Sequence, residues 1–337
     1  MILLPNKKKR VAVLVCGGVM SSFHDPRTGI VHPLTSTEEL LEVIPELQKM
    51  DIGVDVFPNI IQKSFFLTTP DWKPLYHFIQ QKAKKYDGFI VIQESDTLIY
   101  ASCLLGFLTA AFYKPIIFTA YPTPIGSQYR NNAQNNLLGA IVCAAADIGE
   151  TAIFSDEKLI RGVRAKRQNI ETPQHYFSSF TDDIAEFHGE TLHLNLHRIR
   201  RDDLKCEFPY QYPQKTVFFL RYFPDFPEDF FYMLFENHLD ALVIESLGFG
   251  DLPAYILERL EQFKEVNTKV VIVAEHDSPL RTFPIPADEV EKSFPNIVPI
   301  KNMTVGTTLV KTIFVLENFP DAFETKMNEN FCGDIVR

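Results

Sequence analysis

Residues 11–20 read VAVLVCGGVM: five apolar residues, a cysteine and then two glycines. A short run that is apolar at every position suits a strand buried on both faces, as in a parallel sheet. The glycine pair lets the backbone turn sharply and approach a ligand closely. In open α/β sheets ligands lie past the carboxyl ends of strands, so this turn is the first candidate site. Polar residues with a proline and a glycine at about 21–36 then read as a loop. The strand pattern recurs down the chain. Strands are expected near residues 54–60, 88–93 and 116–120, with helices near 38–47, 72–85, 98–112 and 135–146. Ser36 or Thr37 is expected to cap the first of these helices. Strands alternating with helices over about 150 residues predict a doubly wound parallel sheet. A strand pair near 152–154 and 158–161 follows.

The pattern fades into polar sequence at 192–215 and restarts with strands near 216–221, 241–245 and 269–274. Helices are expected at 227–236, 253–263 and 305–316. A chain of 337 residues exceeds one typical core. The expected organisation is therefore an N-terminal α/β domain at 1–191, a linker at 192–215 and a smaller α/β domain at 216–337.

Composition excludes several classes. The net charge of -10 argues against nucleic acid or an anionic membrane as the main partner, and the basic run at residues 7–10 reads as a solvated lead-in. No apolar run reaches the roughly 18 residues of a membrane span. The first ten residues lack the order of a secretory signal, which predicts an intracellular protein, cytoplasmic or within an organelle. Five scattered cysteines with no CxxC predict buried thiols, with neither disulfides nor zinc. No cofactor or metal is expected.

Motifs at fixed points resemble one family. Val15-Cys16-Gly17-Gly18-Val19-Met20 stands where that family has Thr-Gly-Gly-Thr after its first strand, and Gln93-Glu94-Ser95-Asp96-Thr97 where it has His-Gly-Thr-Asp-Thr. Thr69-Pro70-Asp71-Trp72 resembles its helix start. Asn135-Asn136-Leu137-Leu138, the 159–164 segment LIRGVR, the turn Gly248-Phe249-Gly250-Asp251 and the 302–311 segment match further motifs. The chain resembles the bacterial-type L-asparaginases of the cytoplasmic type I branch over nearly its whole length. That branch includes the asparaginase-like subunit of archaeal glutamyl-tRNA amidotransferase.

The resemblance implies a two-domain asparaginase fold, a homodimer or homotetramer, and a site for a small amino acid such as asparagine or aspartate. In that family a threonine in the first turn attacks the side-chain amide, helped by a lid-loop tyrosine. A Thr-Asp-Lys set opposite moves protons and orients the substrate.

Here Val19 stands at the nucleophile position and has no oxygen to attack with. Ile30 falls at the lid tyrosine, with His32 nearby as a candidate base or a solvated histidine. Arg167 falls at the lysine, and arginine stays protonated at any working pH. Glu94 replaces a glycine. Gly17, Gly18, Ser64, Ser95 and Asp96 are the expected substrate-binding residues, although Lys63 precedes Ser64. Cys16 is expected to be an inert core thiol.

Loss of a nucleophile costs roughly 10^6-fold in a triad enzyme. The primary expectation is therefore a catalytically impaired pseudoenzyme, acting as a small-ligand binder or as a subunit of a larger assembly. The alternative is a divergent amidohydrolase in which Ser95 attacks with Asp96 and Lys166 in support, as in Ser-Lys hydrolases. A role in an RNA-dependent amidotransferase ranks third, since that needs both the catalytic threonine and a basic surface. The aromatic run at 223–235 (FPDFPEDFFYMLF) is expected to be core or subunit interface.

Overall fold

The computed structural model describes residues 9–25, 27–61, 63, 65–127, 132–167, 176–188, 191–197, 199, 207–227, 229–237, 239–248, 252–274, 293–300 and 302–335. The chain divides into two compact units. The first comprises Met1–Ser178 and Asp182–Pro209, the second Ser179–Thr181 and Tyr210–Arg337.

The first unit begins with β1 (Lys9–Val15). A small hairpin follows, β2 (Ser22–His24) with β3 (Val31–Pro33), paired antiparallel. Next come α1 (Thr37–Val43), β4 (Ile52–Phe57), α2 (Lys73–Lys82), β5 (Gly88–Ile92), α3 (Leu98–Leu108), β6 (Ile116–Thr119) and α4 (Asn132–Ala145). Strands β7 (Thr151–Ser155) and β8 (Lys158–Arg161) form a hairpin. They are followed by β9 (Ala165–Arg167), β10 (Tyr176–Ser178), β11 (Ala185–His188) and β12 (Thr191–Leu194). The main sheet runs β12-β11-β8-β7-β6-β5-β1-β4. From β4 to β7 every pairing is parallel, and from β7 to β12 every pairing is antiparallel.

The apolar run of β1 is explained by burial on both faces. Val11, Val13 and Val15 belong to the cluster shared with Leu40 and Ile44 and with Leu137 and Ile141 of α4. Ala12 and Leu14 alternate to the other face and are equally buried. Each buried valine or leucine contributes roughly 1.5–3 kcal/mol. Ser36 is the cap of α1, its side chain accepting from Glu39 N at 3.2 Å.

Two expectations are corrected here. Residues 21–36, expected to be a loop, hold the β2–β3 hairpin; strands of three residues are too short to give a periodicity. Residues 191–194 form an edge strand on β11 in the stretch expected to open the linker, with Leu192 buried against the sheet.

The second unit has a four-stranded sheet of β13 (Val217–Arg221), β14 (Ala241–Ser246), β15 (Lys269–Ala274) and β16 (Ile297–Ile300), all parallel in that order. Its helices include α5 (Asp229–Phe235), α6 (Ala254–Glu261) and the helix Val305–Asn318, which Thr304 caps. Strand β16 had no sequence expectation, because Ile-Val-Pro-Ile is short and carries a proline. Of the aromatic run, Phe226, Phe231 and Leu234 are core, whereas Phe223, Tyr232 and Met233 are exposed. The unit is thus a second, smaller α/β layer built like the first.

Candidate active site

The site is built from two neighbouring turns of the first unit. At the end of β1, Cys16 N donates to Ile92 O of β5 at 2.8 Å. Gly17 and Gly18 follow with φ of 114° and 82°, a region that glycine alone enters freely. A Cβ at Gly18 would lie 2.6 Å from both Cα and N of Glu94, so this turn presses its backbone against the turn after β5. A single helical turn, Val19–Ser21, comes next, tied back by Ser21 Oγ donating to Gly18 O at 2.6 Å. Val19 is 41% exposed, an apolar side chain open at the turn. Cys16 is fully buried, and burial pushes its thiol pKa far up, so it is held as an inert thiol. The other described cysteines are also free and buried; Cys206 lies outside the described residues.

The second turn carries Gln93, Glu94, Ser95, Asp96 and Thr97. Glu94 is a buried residue: its Oε1 accepts from Thr97 Oγ1 at 2.7 Å and from Leu67 N at 3.3 Å. Gln93 Nε2 donates to Thr97 Oγ1 at 3.1 Å. The carboxylate that replaces the family's glycine is folded inward, tying the turn to Leu67. Thr97 is the cap residue of α3. Ser95 is half-buried and Asp96 is exposed.

The cation at this turn is Arg167. Its Nη1 donates to Asp96 Oδ1, and its Nη2 stands 3.5 Å from Ser95 Oγ. Arg167 pairs with Tyr176 across β9 and β10. The Tyr176 hydroxyl donates to Ser95 O at 3.0 Å, and burial raises its pKa. Lys166, one residue earlier, is half-buried and pairs with Phe177; alternation along β9 places it on the face opposite Arg167.

Ser95, Asp96 and Arg167 are therefore brought together, with Gly18 and Val19 at the adjoining turn. Ser64 lies outside the described residues, as do Gly250 and Asp251. Lys63 pairs with Asp71 at 3.1 Å. Ile30 is exposed at the tip of the β2–β3 hairpin. The His32 ring packs on Phe23 with centroids 5.2 Å apart, and its Nδ1 is 2.9 Å from Pro33 O. Tyr176 is a site residue that the sequence does not reveal, since a lone tyrosine in His-Tyr-Phe carries no signal. Among the described residues no cluster of His, Cys, Asp or Glu could hold a metal ion, and no helix is long and apolar enough to cross a membrane.

A glycine turn and a hydroxyl-bearing turn, side by side at the carboxyl ends of parallel strands, mark the site of an open α/β sheet protein. Residues 10–200, more than half of the chain, match the family model described as Asparaginase, N-terminal, and the chain belongs to the asparaginase family. It is 25% identical over 344 aligned positions to a glutamyl-tRNA(Gln) amidotransferase subunit of Methanobrevibacter smithii, covering 97% of this chain and 77% of that protein. It is 25% identical over 285 positions to the L-asparaginase of Dirofilaria immitis, covering 80% of this chain but only 47% of that protein. The chain thus spans about half the length of that relative. The crystal structure of L-asparaginase I from Vibrio cholerae matches with a TM-score of 0.80 at 20% identity, covering 98% of this chain and 100% of that one. This likeness establishes the two-unit asparaginase fold.

Proposed function

We propose that this chain is a pseudoenzyme of the asparaginase family, keeping the fold and a small-ligand site without amide hydrolysis. The observation that carries the reading is Val19, an open apolar side chain at the position where the resemblance puts the attacking threonine. Arg167 supports it. A permanently charged guanidinium held on Asp96 cannot take a proton from any hydroxyl. Ile30 adds a third lost role, since the lid position carries no hydroxyl.

The Ser95 alternative fares less well. Ser95 Oγ faces the Arg167 cation, and Lys166 lies on the other face of its strand. A guanidinium can stabilise an anion but cannot serve as the base that makes one.

The ligand we propose is a small amino acid of the size of asparagine or aspartate, held between the turns of Gly17-Gly18 and Ser95-Asp96. The assembly is a homodimer or homotetramer, or a subunit role in a larger complex. A subunit role is in keeping with the relative whose name makes it part of an amidotransferase. RNA is not the partner, given the acidic balance of the chain. The proposed compartment is the cytoplasm.

Ammonia release from L-asparagine and L-glutamine by the purified chain tests the reading. Release at the buffer rate agrees with it. Sustained release overturns it, and loss of that release in Ser95→Ala would assign the activity to Ser95.

A further inference from the structure

Arg167 has one donor, Nε, that the chain leaves without an acceptor. Its Nη1 is committed to Asp96. Its Nη2 is 3.5 Å from Ser95 Oγ, the outer limit of a hydrogen bond. Its Nε is buried with no hydrogen-bond partner. Nε and Nη2 form one side of the guanidinium fork, the side that grips a carboxylate through two parallel N–H···O bonds. A buried N–H without an acceptor is rare, because it loses water and gains nothing.

Three of the neighbouring acceptors are already engaged. Asp96 Oδ1 takes Nη1, the Ser95 carbonyl takes the Tyr176 hydroxyl, and Glu94 Oε1 is turned toward Thr97 and Leu67.

We infer that Arg167 sets the ligand selectivity of this site by receiving a ligand carboxylate on its Nε–Nη2 edge. The loose Ser95 contact yields as the guanidinium turns to expose Nε. The ligand class is then a small carboxylic acid in preference to its amide. A carboxylate offers two acceptors and a negative charge. An amide offers one acceptor, and its NH2 group meets the guanidinium donor to donor. Val19 complements this choice, since an apolar side chain asks for no hydrogen bond from the ligand.

The inference rests on the reading of a retained small-ligand site but is tested apart from turnover. Calorimetric titration of the full chain at neutral pH and low salt would compare L-aspartate, succinate and L-asparagine. The acids are expected to bind tighter than the amide by about tenfold or more, the scale set by an unmatched buried hydrogen bond. Arg167→Met is expected to abolish that preference. Arg167→Lys is expected to keep part of it, because an ammonium has charge but no paired edge. Circular dichroism confirms that both variants are folded, and the acid-to-amide ratio of Arg167→Lys decides if the methionine variant is not.

Equal or tighter binding of asparagine, no binding of either acid, or a preference that survives in Arg167→Met overturns the inference. Binding of none of the three ligands would also remove the retained ligand site, whereas the absence of amide hydrolysis is tested separately, by ammonia release.

Discussion

Gly18 lies backbone to backbone against Glu94, with room for no side chain between them: an added Cβ would come within 2.6 Å of the Glu94 main chain. This contact joins the two turns of the site. Gly18→Ala must relieve both the clash and a φ of 82°. The expected loss in a denaturant melt is about 2 kcal/mol or more, built from strain of order 1–3 kcal/mol and displaced backbone. Gly29→Ala is the control, with φ of 71° and nothing within 4 Å. It should lose only about 1 kcal/mol.

Lys311 and Asp334 form an ion pair at 2.6 Å with both side chains fully buried. Asp334 Oδ1 also accepts from Phe331 N at 2.7 Å and Cys332 N at 3.1 Å, and Lys311 Nζ donates to Glu329 O at 2.7 Å. Asp334→Ala strands a buried ammonium and should cost about 3–5 kcal/mol. The double variant Lys311→Met, Asp334→Leu should lose less than the two single changes summed. A double-mutant cycle by urea melts checks this.

Asp71 makes an acid-sensitive contact beside the site. Burial pulls its pKa upward, but hydrogen bonds from Thr68 and the Lys63 ammonium outweigh it and hold the carboxyl below 3.8. A carboxylate depressed in the folded state stabilises above its unfolded pKa, and that contribution is lost as pH falls through the folded value. Stability should therefore fall as pH drops below about 4. Asp71→Asn should flatten that limb in melts taken across acid pH.

Val19→Thr restores a hydroxyl of nearly the same shape at a half-open position. Stability should change by less than about 0.5 kcal/mol. Ammonia release should stay at background, because Arg167 and Ile30 still lack the lysine and tyrosine chemistry of the family. Coupled ammonia detection with L-asparagine checks it, and full recovery from this one change would place the whole defect at Val19.

The fold was legible where burial was two-sided. Val11–Val15 and Gly88–Ile92 are apolar at nearly every position because every residue there is buried, on both faces of the strand. The first helix's cap was legible as Ser36 or Thr37 from hydroxyls before two glutamates, and the structure settles it on Ser36. The β2–β3 hairpin and Ile297–Ile300 were not, since three- and four-residue strands with prolines carry no period.

At the site, the turns after residues 11–15 and 88–93 could be placed from strand ends alone, whereas the roles of Val19, Ser95, Asp96 and Arg167 came only through the resemblance. The inward fold of Glu94 was not legible at all. It depends on Leu67 N arriving from a distant segment, which no local pattern encodes.

The most direct measurement is aspartate formation in a long incubation of L-asparagine with a stoichiometric amount of the native chain, followed by NMR. Less than one aspartate per chain is expected, indistinguishable from buffer. Multiple turnovers per chain, removed by Ser95→Ala, would contradict it.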